Sequence, residues 1–140
     1  MAATLTAKLT LTGTATDFPD AIALSQEKAL TVSQPYVGFS RDTAEVSGGT
    51  LNEIKPSGSA NQYLYVKHTG FQADGTTATT NQLGLYVTGV DTDGDTNTIE
   101  FARIAANEFA IIPIMSNKII KALSSSTHVI QFEYAYFTAG

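Results

Sequence analysis

The sequence contains no cysteine and no tryptophan, and few of its residues are charged. Without cysteine, disulfides, thiol nucleophiles and thiolate metal sites are excluded, and the redox compartment is left open. Charged residues make up 15% of the chain, against about 25% in an average soluble domain. The fold must therefore be stabilised by packing, by assembly or by bound ions.

Long apolar runs and basic clusters are also missing. No stretch approaches the roughly 18 apolar residues of a membrane span, and the opening MAATLTAKLTLTG alternates where a signal peptide would run apolar. The eight lysines and arginines are scattered through a chain of net charge −5, so a nucleic acid or an anionic membrane would find no basic patch. We expect a soluble mature chain with no nucleic acid and no membrane among its partners.

The residues that are abundant favour strands. A length of 140 residues suits a single domain, residues 1–140, with a core of its own. Threonine, valine, tyrosine, phenylalanine and isoleucine are spread through short segments, and 11 glycines separate them, which favours strands over helices. No internal repeat of fixed period is visible, which argues against propellers and solenoids.

Alternation of apolar and polar residues predicts the positions of the strands. Residues 4–12 (TLTAKLTLT) and 62–70 (QYLYVKHTG) show the clearest period of two. Pro113 places the segment NEFAIIPI at an edge or a bulge, and residues 72–81 are typical of a surface loop or mobile tip. The other predicted strands are YVGFSRDTAEV, TLNEIKP, LGLYVTGV, TIEFARI and HVIQFEYAYFT, with NKIIKAL ambiguous. Eight to ten strands of this kind predict an all-β, antiparallel β-sandwich or barrel.

Residues 21–33, AIALSQEKALTVS, are open to two interpretations. Helix propensity favours residues 23–29. Apolar residues alternate at both ends of the segment, however, and Ser25–Lys28 supply a polar turn between the ends. We predict two short strands that end at Pro35, with a helix as the alternative.

The segment DTDGDTN, residues 91–97, places carboxylates on alternate residues and suggests a calcium loop. Counted from Asp91, a calcium loop of the EF-hand type needs Gly at the sixth position and Glu at the twelfth. The chain has Thr96 and Ala102 at those positions. Weak calcium binding near Asp91, Asp93 and Asp95 is therefore the alternative interpretation, and we predict no other cofactor or metal.

A hairpin turn is the preferred interpretation of the same segment. With a three-residue loop at 92–94, Val87 would oppose Ile99 and Leu85 would oppose Phe101, which makes one apolar face. A two-residue turn would instead oppose apolar with polar residues. The three-residue loop also leaves Asp91 near Asp95, an unfavourable pair unless water or a cation lies between them.

No pattern of catalytic residues is present. The histidines are His68 and His128, no GxSxG motif occurs, and the run of serines at 124–126 is typical of a turn. Five glutamates occur singly, without the spacing of glycosidase carboxylates: Glu45, Glu53, Glu100, Glu108 and Glu133. We predict a protein that is not an enzyme, with no catalytic and no cofactor-binding residue.

Tyrosine is the residue type most suited to a binding surface in this chain. Such side chains can form a sugar-stacking platform or a protein interface. The absence of tryptophan weakens the lectin interpretation, and a protein interface is the more economical use. The candidates are Tyr63, Tyr65, Tyr86, Tyr134 and Tyr136.

Several segments, taken in order, resemble a known family. They are TLTAKLTLTG followed by DAIALSQEKALTVSQ, then YLYVKHTG at 63–70, a loop rich in Thr and Asn, LGLYV, and ANEFAIIPI at 106–114. This order is similar to that of small virion proteins of tailed bacteriophages, and the likeness covers most of the chain. The sequence departs from the pattern at Asn107, where those proteins often have glycine, so the turn before Glu108 is expected to differ in shape.

The resemblance implies a jelly-roll-like capsid decoration, or cement, protein on the virion surface, or a small tail component. The expected partner is the major capsid protein lattice, and copies of the chain are expected to form a homo-oligomer, a trimer or a dimer. The N-terminal and C-terminal strands are candidate docking elements by β-augmentation, and a place within the sheet is equally open for both. A carbohydrate-binding or host-attachment module of a tail or fibre is the alternative function.

Overall fold

Nine β-strands account for most of the structure, a computed structural model that describes residues 2–13, 22–90 and 96–139. Within those ranges there is no helix that could cross a membrane. The strands are β1 Ala2–Gly13, β2 Ile22–Ala44, β3 Asn52–Lys55, β4 Gln62–Gln72, β5 Leu83–Val90, β6 Thr96–Ile104, β7 Phe109–Ile114, β8 Ile119–Ser124 and β9 Ile130–Ala139.

The strands form two antiparallel sheets, with the order β1-β2-β9-β4-β7 in one and β3-β8-β5-β6 in the other. The pairs β5·β6, β4·β7, β3·β8 and β2·β9 follow one another along one long two-stranded ribbon, with β5·β6 at one end and β2·β9 at the other. The pairs β4·β9 and β5·β8 then roll that ribbon into a sandwich. Strands β2–β9 therefore form an eight-stranded jelly roll, and the predicted all-β, jelly-roll-like sandwich is confirmed.

The core lies between the facing sides of the two sheets. On β4 the even-numbered side chains from Gln62 to His68 are buried while the odd-numbered ones are partly exposed, as the period of two requires. Leu85 and Ile120 meet them from the four-stranded sheet, where both are fully buried. The remaining apolar members of the core are Ala44, Ile54, Leu64, Val66, Leu83, Ile104, Ile114, Ala122, Ile130 and Phe132.

The prediction of two short strands at residues 21–33 is wrong, and so is the helix alternative. Residues 22–44 form the single strand β2. The predicted turn at 25–28 instead lies within an unbroken antiparallel pairing with β1, from Ala2 opposite Ser33 to Gly13 opposite Ile22. Pro35 does not end the strand either, because it lies at an irregularity in the pairing of β2 with β9 that accommodates its missing N–H.

The predicted register of β5 with β6 is correct in part. Val87 opposes Ile99 as expected. Leu85 opposes Ala102 and not Phe101, because a bulge interrupts the pairing between Leu85 and Tyr86. The predicted apolar face is therefore incomplete: Ile99 is 60% exposed and Phe101 41% exposed on this edge strand. Residues 91–95 lie outside the described residues, so the turn and the calcium site both stay predictions.

Strand β2 is longer than the strand beside it. Strand β9 pairs with β2 only as far as Val32, which lies opposite Ala139. The preceding residues of β2 pair with β1 alone. Residues 4–13 and 22–31 therefore form a two-stranded ribbon that extends past the end of β9, and we call this ribbon the arm.

Of the two candidate docking strands, the structure leaves one at an edge. Strand β9 lies at the centre of its sheet, between β2 and β4, so its backbone groups are used inside the fold. Strand β1 is at the edge of the same sheet and pairs with β2 on one side. An open strand edge is where β-augmentation takes place, and in the described part of the chain β1 is the candidate that lies at such an edge.

Candidate binding surface

The outer side of the five-stranded sheet carries a continuous patch of apolar rings. Its position follows from parity, since the odd-numbered residues of β4, β7 and β9 point away from the core. Across the strands, Tyr63 lies between Phe137 and Pro113, and Tyr65 lies between Ala135 and Ile111. We call this patch the aromatic face, formed by Phe39, Tyr63, Tyr65, Phe109, Ile111 and Phe137.

Two ring pairs of the aromatic face are arranged edge to face, and a third pair, Tyr65 with Phe109, is tilted. The ring centroid of Phe39 lies 5.3 Å from that of Tyr65 and 6.5 Å from that of Phe137. Tyr65 also lies 6.4 Å from Phe109. Ala135, beneath these rings, is fully buried although it lies on the outer side of the sheet. The rings thus form a second, smaller apolar layer, which still leaves Phe39 74% and Phe109 62% exposed.

A row of charges borders the aromatic face. Glu133 of β9 lies opposite Arg41 of β2 on one side and opposite Lys67 of β4 on the other. The Arg41 guanidinium donates a hydrogen bond to the Glu133 carboxylate. Burial, with a smaller contribution from Glu133, raises the pKa of Tyr65. The phenol of Tyr65 is therefore neutral at physiological pH and can donate or accept a hydrogen bond beside the charged row.

The arm crosses over this face. Thr6 and Ala7 of β1 line a cavity of about 230 Å³ together with rings of the aromatic face. Farther along, both strands of the arm lie above β7 and enclose a cleft of about 760 Å³ over Phe109 and Ile111. Leu9 and Leu11 on the arm remain 50% and 47% exposed. The arm therefore lies near the aromatic face without filling the space between them.

The five candidate tyrosines, expected to form a protein interface or a sugar-stacking platform, lie in three different places. Tyr63 and Tyr65 belong to the aromatic face. Tyr134 and Tyr136 point inward and pack against the core. Tyr86 lies on the outer side of the four-stranded sheet, near Gly84 and the ion pair of Glu100 with Arg103.

Sequence reasoning did not place Phe39, Phe109, Ile111 or Phe137 on the aromatic face. Phe109 and Ile111 were assigned to a strand without being placed on the side that Tyr63 and Tyr65 share. The pairing of β4 with β7, Lys67 opposite Phe109 and Tyr65 opposite Ile111, puts them there. No local signal could have placed them there, because residues 109–114 are all apolar and do not show which side faces the core. Phe39 gave no signal either, because it lies at the irregular part of β2 between Val37 and Ser40.

The two histidines occupy different environments. His68 is fully buried; its Nδ1 accepts a hydrogen bond from the Gly70 N–H at 2.9 Å, and its Nε2 lies 2.8 Å from the Asn81 carbonyl oxygen. This fixes the neutral tautomer that carries its proton on Nε2. Burial lowers the pKa of His68. His128 is exposed and lies beside Thr127. Both ring nitrogens of His68 are thus used to hold the fold.

Three of the five glutamates considered as candidate carboxylates have structural partners. Glu100 pairs with Arg103, Glu133 pairs with Arg41, and Glu108 accepts a hydrogen bond from the Ala105 N–H in the turn between β6 and β7. Glu45 and Glu53 are exposed. In the described part of the chain, no three His, Asp or Glu side chains cluster as metal ligands would.

The loop at residues 72–81 is folded back on the sheet as a surface loop. Asp74 accepts hydrogen bonds from the N–H groups of Thr76 and Thr77 at 2.9 and 2.8 Å and from the Thr77 hydroxyl. These bonds lower the pKa of Asp74 to about 2. The Thr79 N–H donates a hydrogen bond to the Gly70 carbonyl, which brings the end of the loop back to β4.

Comparisons with known proteins add little to this picture. A scan against protein-family models found no match, and a search of curated proteins found none. Among solved structures, the chain is similar to the CBM22-1 and GH10 modules of the Clostridium thermocellum N-terminal endo-1,4-β-D-xylanase 10B, complexed with xylohexaose. The TM-score is 0.36 and the identity 17%, over 74% of this chain and 25% of that chain. The strand order alone therefore carries the fold assignment.

Proposed function

We propose that this protein is a non-enzymatic structural protein that binds other protein subunits, and that its role is to decorate and stabilise the capsid lattice of a tailed-phage particle. The observation that carries the proposal is the aromatic face with the arm crossing over it. Large apolar side chains of both remain half exposed or more, outside a core that is already complete. Aromatic patches of this kind rimmed by charge are typical of protein interfaces.

The resemblance to small phage virion proteins supports the choice of partner. A cement protein must join neighbouring subunits and resist their separation. An aromatic face can bury apolar area on one subunit, while an arm can reach a second by strand pairing. The low charge of the surface suits such contacts, because few charged groups would have to lose their water.

Cryo-electron microscopy of the phage particle tests the location. The expected result is hundreds of copies distributed over the head, each with the arm or the aromatic face against the lattice. Density for the chain at the tail alone would overturn the decoration role.

Binding to assembled capsids tests the surface. We expect the double substitution Tyr65→Ala with Phe109→Ala to weaken binding at least tenfold, since aromatic anchors carry much of the affinity of an interface. Tyr86→Ala is the matched control, a tyrosine on the outer side of the other sheet, and should bind as the unchanged protein does. Equal loss in both variants would rule out the aromatic face as the contact.

Carbohydrate binding is the alternative function, favoured by one observation. Tyr63 and Tyr65 lie on the same side of β4, next to Lys67 and Glu133, so stacking rings adjoin groups that could bond sugar hydroxyls. Glycan arrays and calorimetry would detect such binding, and Tyr63→Ala should abolish it. If particles lack the chain on their heads and a glycan binds with this dependence on Tyr63, the attachment role replaces the decoration role.

A further inference from the structure

Four described strands lie at sheet edges, and three of them carry features that discourage pairing with another chain. Strand β3 has only four residues. Strand β7 contains Pro113, which lacks a backbone donor. Strand β6 is bulged opposite Leu85 and carries Glu100 and Arg103.

Strand β1 has none of these features. It is twelve residues long, AATLTAKLTLTG, without proline and with Lys8 as its one charged residue. Its pairing with β2 has no bulge over its whole length. Seven of its side chains are exposed: Thr4, Thr6, Lys8, Leu9, Thr10, Leu11 and Thr12. A long, regular edge of this kind is a template for another strand.

We propose that β1 pairs antiparallel with β1 of a second copy of this chain, about a twofold axis that places Ala7 of one copy opposite Ala7 of the other. The inference rests on the assembly role proposed above and deepens it, because it names the contact between copies. The self-complementary sequence of β1 argues for a second copy as the partner, since a twofold interface must match itself.

The alternation of β1 limits the register. A twofold axis perpendicular to the sheet keeps the two sides of the ribbon continuous, so odd-numbered residues of one copy must face odd-numbered residues of the other. Ala7, Leu9 and Leu11 then extend one apolar stripe across both copies, while the threonines extend the opposite side. Any register that mixes odd with even would place leucines beside threonines and lysine.

Charge selects between the two longest registers of this kind. An axis at residue 8 would place Lys8 directly opposite Lys8 of the second copy, and like charges in that position are destabilising. An axis at residue 7 places Lys8 opposite Thr6 instead, and Leu9 opposite Leu5. The exposed Leu9 and Leu11, at 50% and 47%, then gain apolar neighbours.

Pairing of this kind ends at two copies. Each chain contributes β1, the long unprotected edge among its described strands, and the pairing covers both edges. The product is a closed dimer in which the arms form a four-stranded ribbon between two jelly rolls. A dimer is one of the two oligomeric states expected from the sequence.

Single-cysteine variants of the full chain test the register without interference, because the chain contains no cysteine. Opposite residues of an antiparallel pair have Cα atoms about 4.5–5.5 Å apart, within the range a disulfide spans. Ala7→Cys should therefore crosslink in most of the protein under mild oxidation. In Thr10→Cys the two sulfurs would be separated by about 20 Å along the strands, so this variant is the matched control.

A non-reducing gel measures the crosslinked fraction of each variant, and equilibrium sedimentation measures the oligomeric state of the unchanged protein. A dimer at micromolar concentration and selective crosslinking of Ala7→Cys support the proposal. Strong crosslinking of Lys8→Cys in place of Ala7→Cys would overturn the register. A monomer at all concentrations, or equal crosslinking of Ala7→Cys and Thr10→Cys, would overturn the dimer.

A charge variant tests the same contact without oxidation. Ala7→Lys places two lysines opposite each other and should raise the dimer dissociation constant at least tenfold, while Thr12→Lys, near the strand end, should change it little. Circular dichroism of each variant checks that the jelly roll is folded. All of these measurements use the purified chain, so their failure is distinguishable from failure of capsid binding, which is measured on particles.

Discussion

We expect His68 to make the stability of this protein depend on pH near neutrality. The imidazole is buried and neutral, and its pKa lies below the ordinary value of 6.5. As the pH falls through 6.5, the unfolded chain binds a proton at this position before the folded chain does. The free energy of unfolding should therefore decrease as the pH falls below 6.5, with a slope of up to about 1.4 kcal/mol per pH unit from this group. Urea unfolding at pH 7.5, 6.5 and 5.5 measures it.

Two variants isolate the contribution of His68 to that slope. His68→Gln cannot titrate and should flatten the slope between pH 7.5 and 5.5, whatever its own stability. His128→Gln replaces the exposed histidine and is the matched control for the loss of an imidazole. A slope in His68→Gln equal to that of the unchanged protein would mean that another group is responsible.

Gly70 and Asn107 face each other where the turn before β7 meets β4. Gly70 has φ +86°, and a Cβ at this position would lie 2.4 Å from the Asn107 Oδ1 atom. Gly48 has φ +84° but nothing within 4 Å. Both alanine substitutions incur the cost of a left-handed conformation, about 1–2 kcal/mol, and Gly70→Ala should be the more destabilising. Thermal unfolding of the two variants measures the difference.

The second half of this test removes the obstructing side chain. In the double variant Gly70→Ala with Asn107→Gly, the clash disappears and part of the lost stability should return. Asn107 has φ 68°, a conformation that glycine adopts freely. No recovery would mean that the backbone at Gly70, and not contact with Asn107, sets the cost.

Asn107 occupies the turn before Glu108 with φ 68°, and a difference in shape from the turn of phage virion proteins stays a prediction. The sequence led us to expect a turn of different shape because glycine is replaced. Asparagine is among the residues that best tolerate the left-handed region, so it can occupy a turn that would suit glycine. The residue type alone could not give this, because the φ angle is a property of the folded turn.

At the scale of elements, the Lys55 side chain links the end of β3 to the loop between β7 and β8 by hydrogen bonds. Its side chain is fully buried, and its Nζ donates to the carbonyl oxygens of Pro56 at 3.0 Å and Lys118 at 2.6 Å. Burial lowers the pKa of this ammonium, against a smaller opposite effect of Glu53. Lys55→Met keeps the volume but leaves both carbonyls without this donor, and should cost about 1–3 kcal/mol.

Chemical denaturation measures that cost, with Lys121→Met on the neighbouring strand β8 as the control. Lys121 is only partly buried and should tolerate the change within about 0.5 kcal/mol. If Lys55→Met is as stable as the control, the apolar packing of the methionine outweighs the lost hydrogen bonds. The claim that the hydrogen bonds of Lys55 stabilise the fold is then wrong.

Strands were predictable where a single segment carried its own pattern. Strand β4 alternates through residues 62–70, and its buried side is the one that holds Leu64 and Val66. Strand β2 was not predictable as one strand, because Ser25–Lys28 and Pro35 resemble ends when only local sequence is considered. Pairing with β1 and the bulge against β9 override those local preferences, and both are long-range contacts.

Dependence on long-range strand pairing also explains how much of the candidate surface could be predicted from the sequence. Tyr63 and Tyr65 were identified as candidates from composition and alternation. Their grouping with Phe39 and Phe137 depends on which strands are neighbours in the sheet, and the sequence does not give strand order. The separation of Tyr86, Tyr134 and Tyr136 from that group follows from the same strand order.

At the scale of the whole molecule, the jelly roll should fold without the arm. Strand β1 pairs with β2 alone, whereas β9 pairs with both β2 and β4. Deletion of residues 1–31 should leave a cooperative thermal transition with a melting temperature within a few degrees of that of the full chain. Deletion of residues 130–140 should abolish cooperative unfolding. Loss of the transition in the first variant would show that the arm is part of the folding unit.

The nesting of the strand pairs also sets the order in which this molecule can fold. The innermost pair, β5 with β6, joins residues that are close in sequence. Ala44 of β2, in contrast, pairs with Ile130 of β9, which is distant in sequence. Loop closure favours the local pair first, and topologies rich in distant contacts fold slowly. During synthesis, the outermost pair of the ribbon, β2 with β9, cannot form until β9 has left the ribosome. The hairpin of β1 and β2 can form much earlier, so its open edge is exposed to other nascent chains before the domain it belongs to exists.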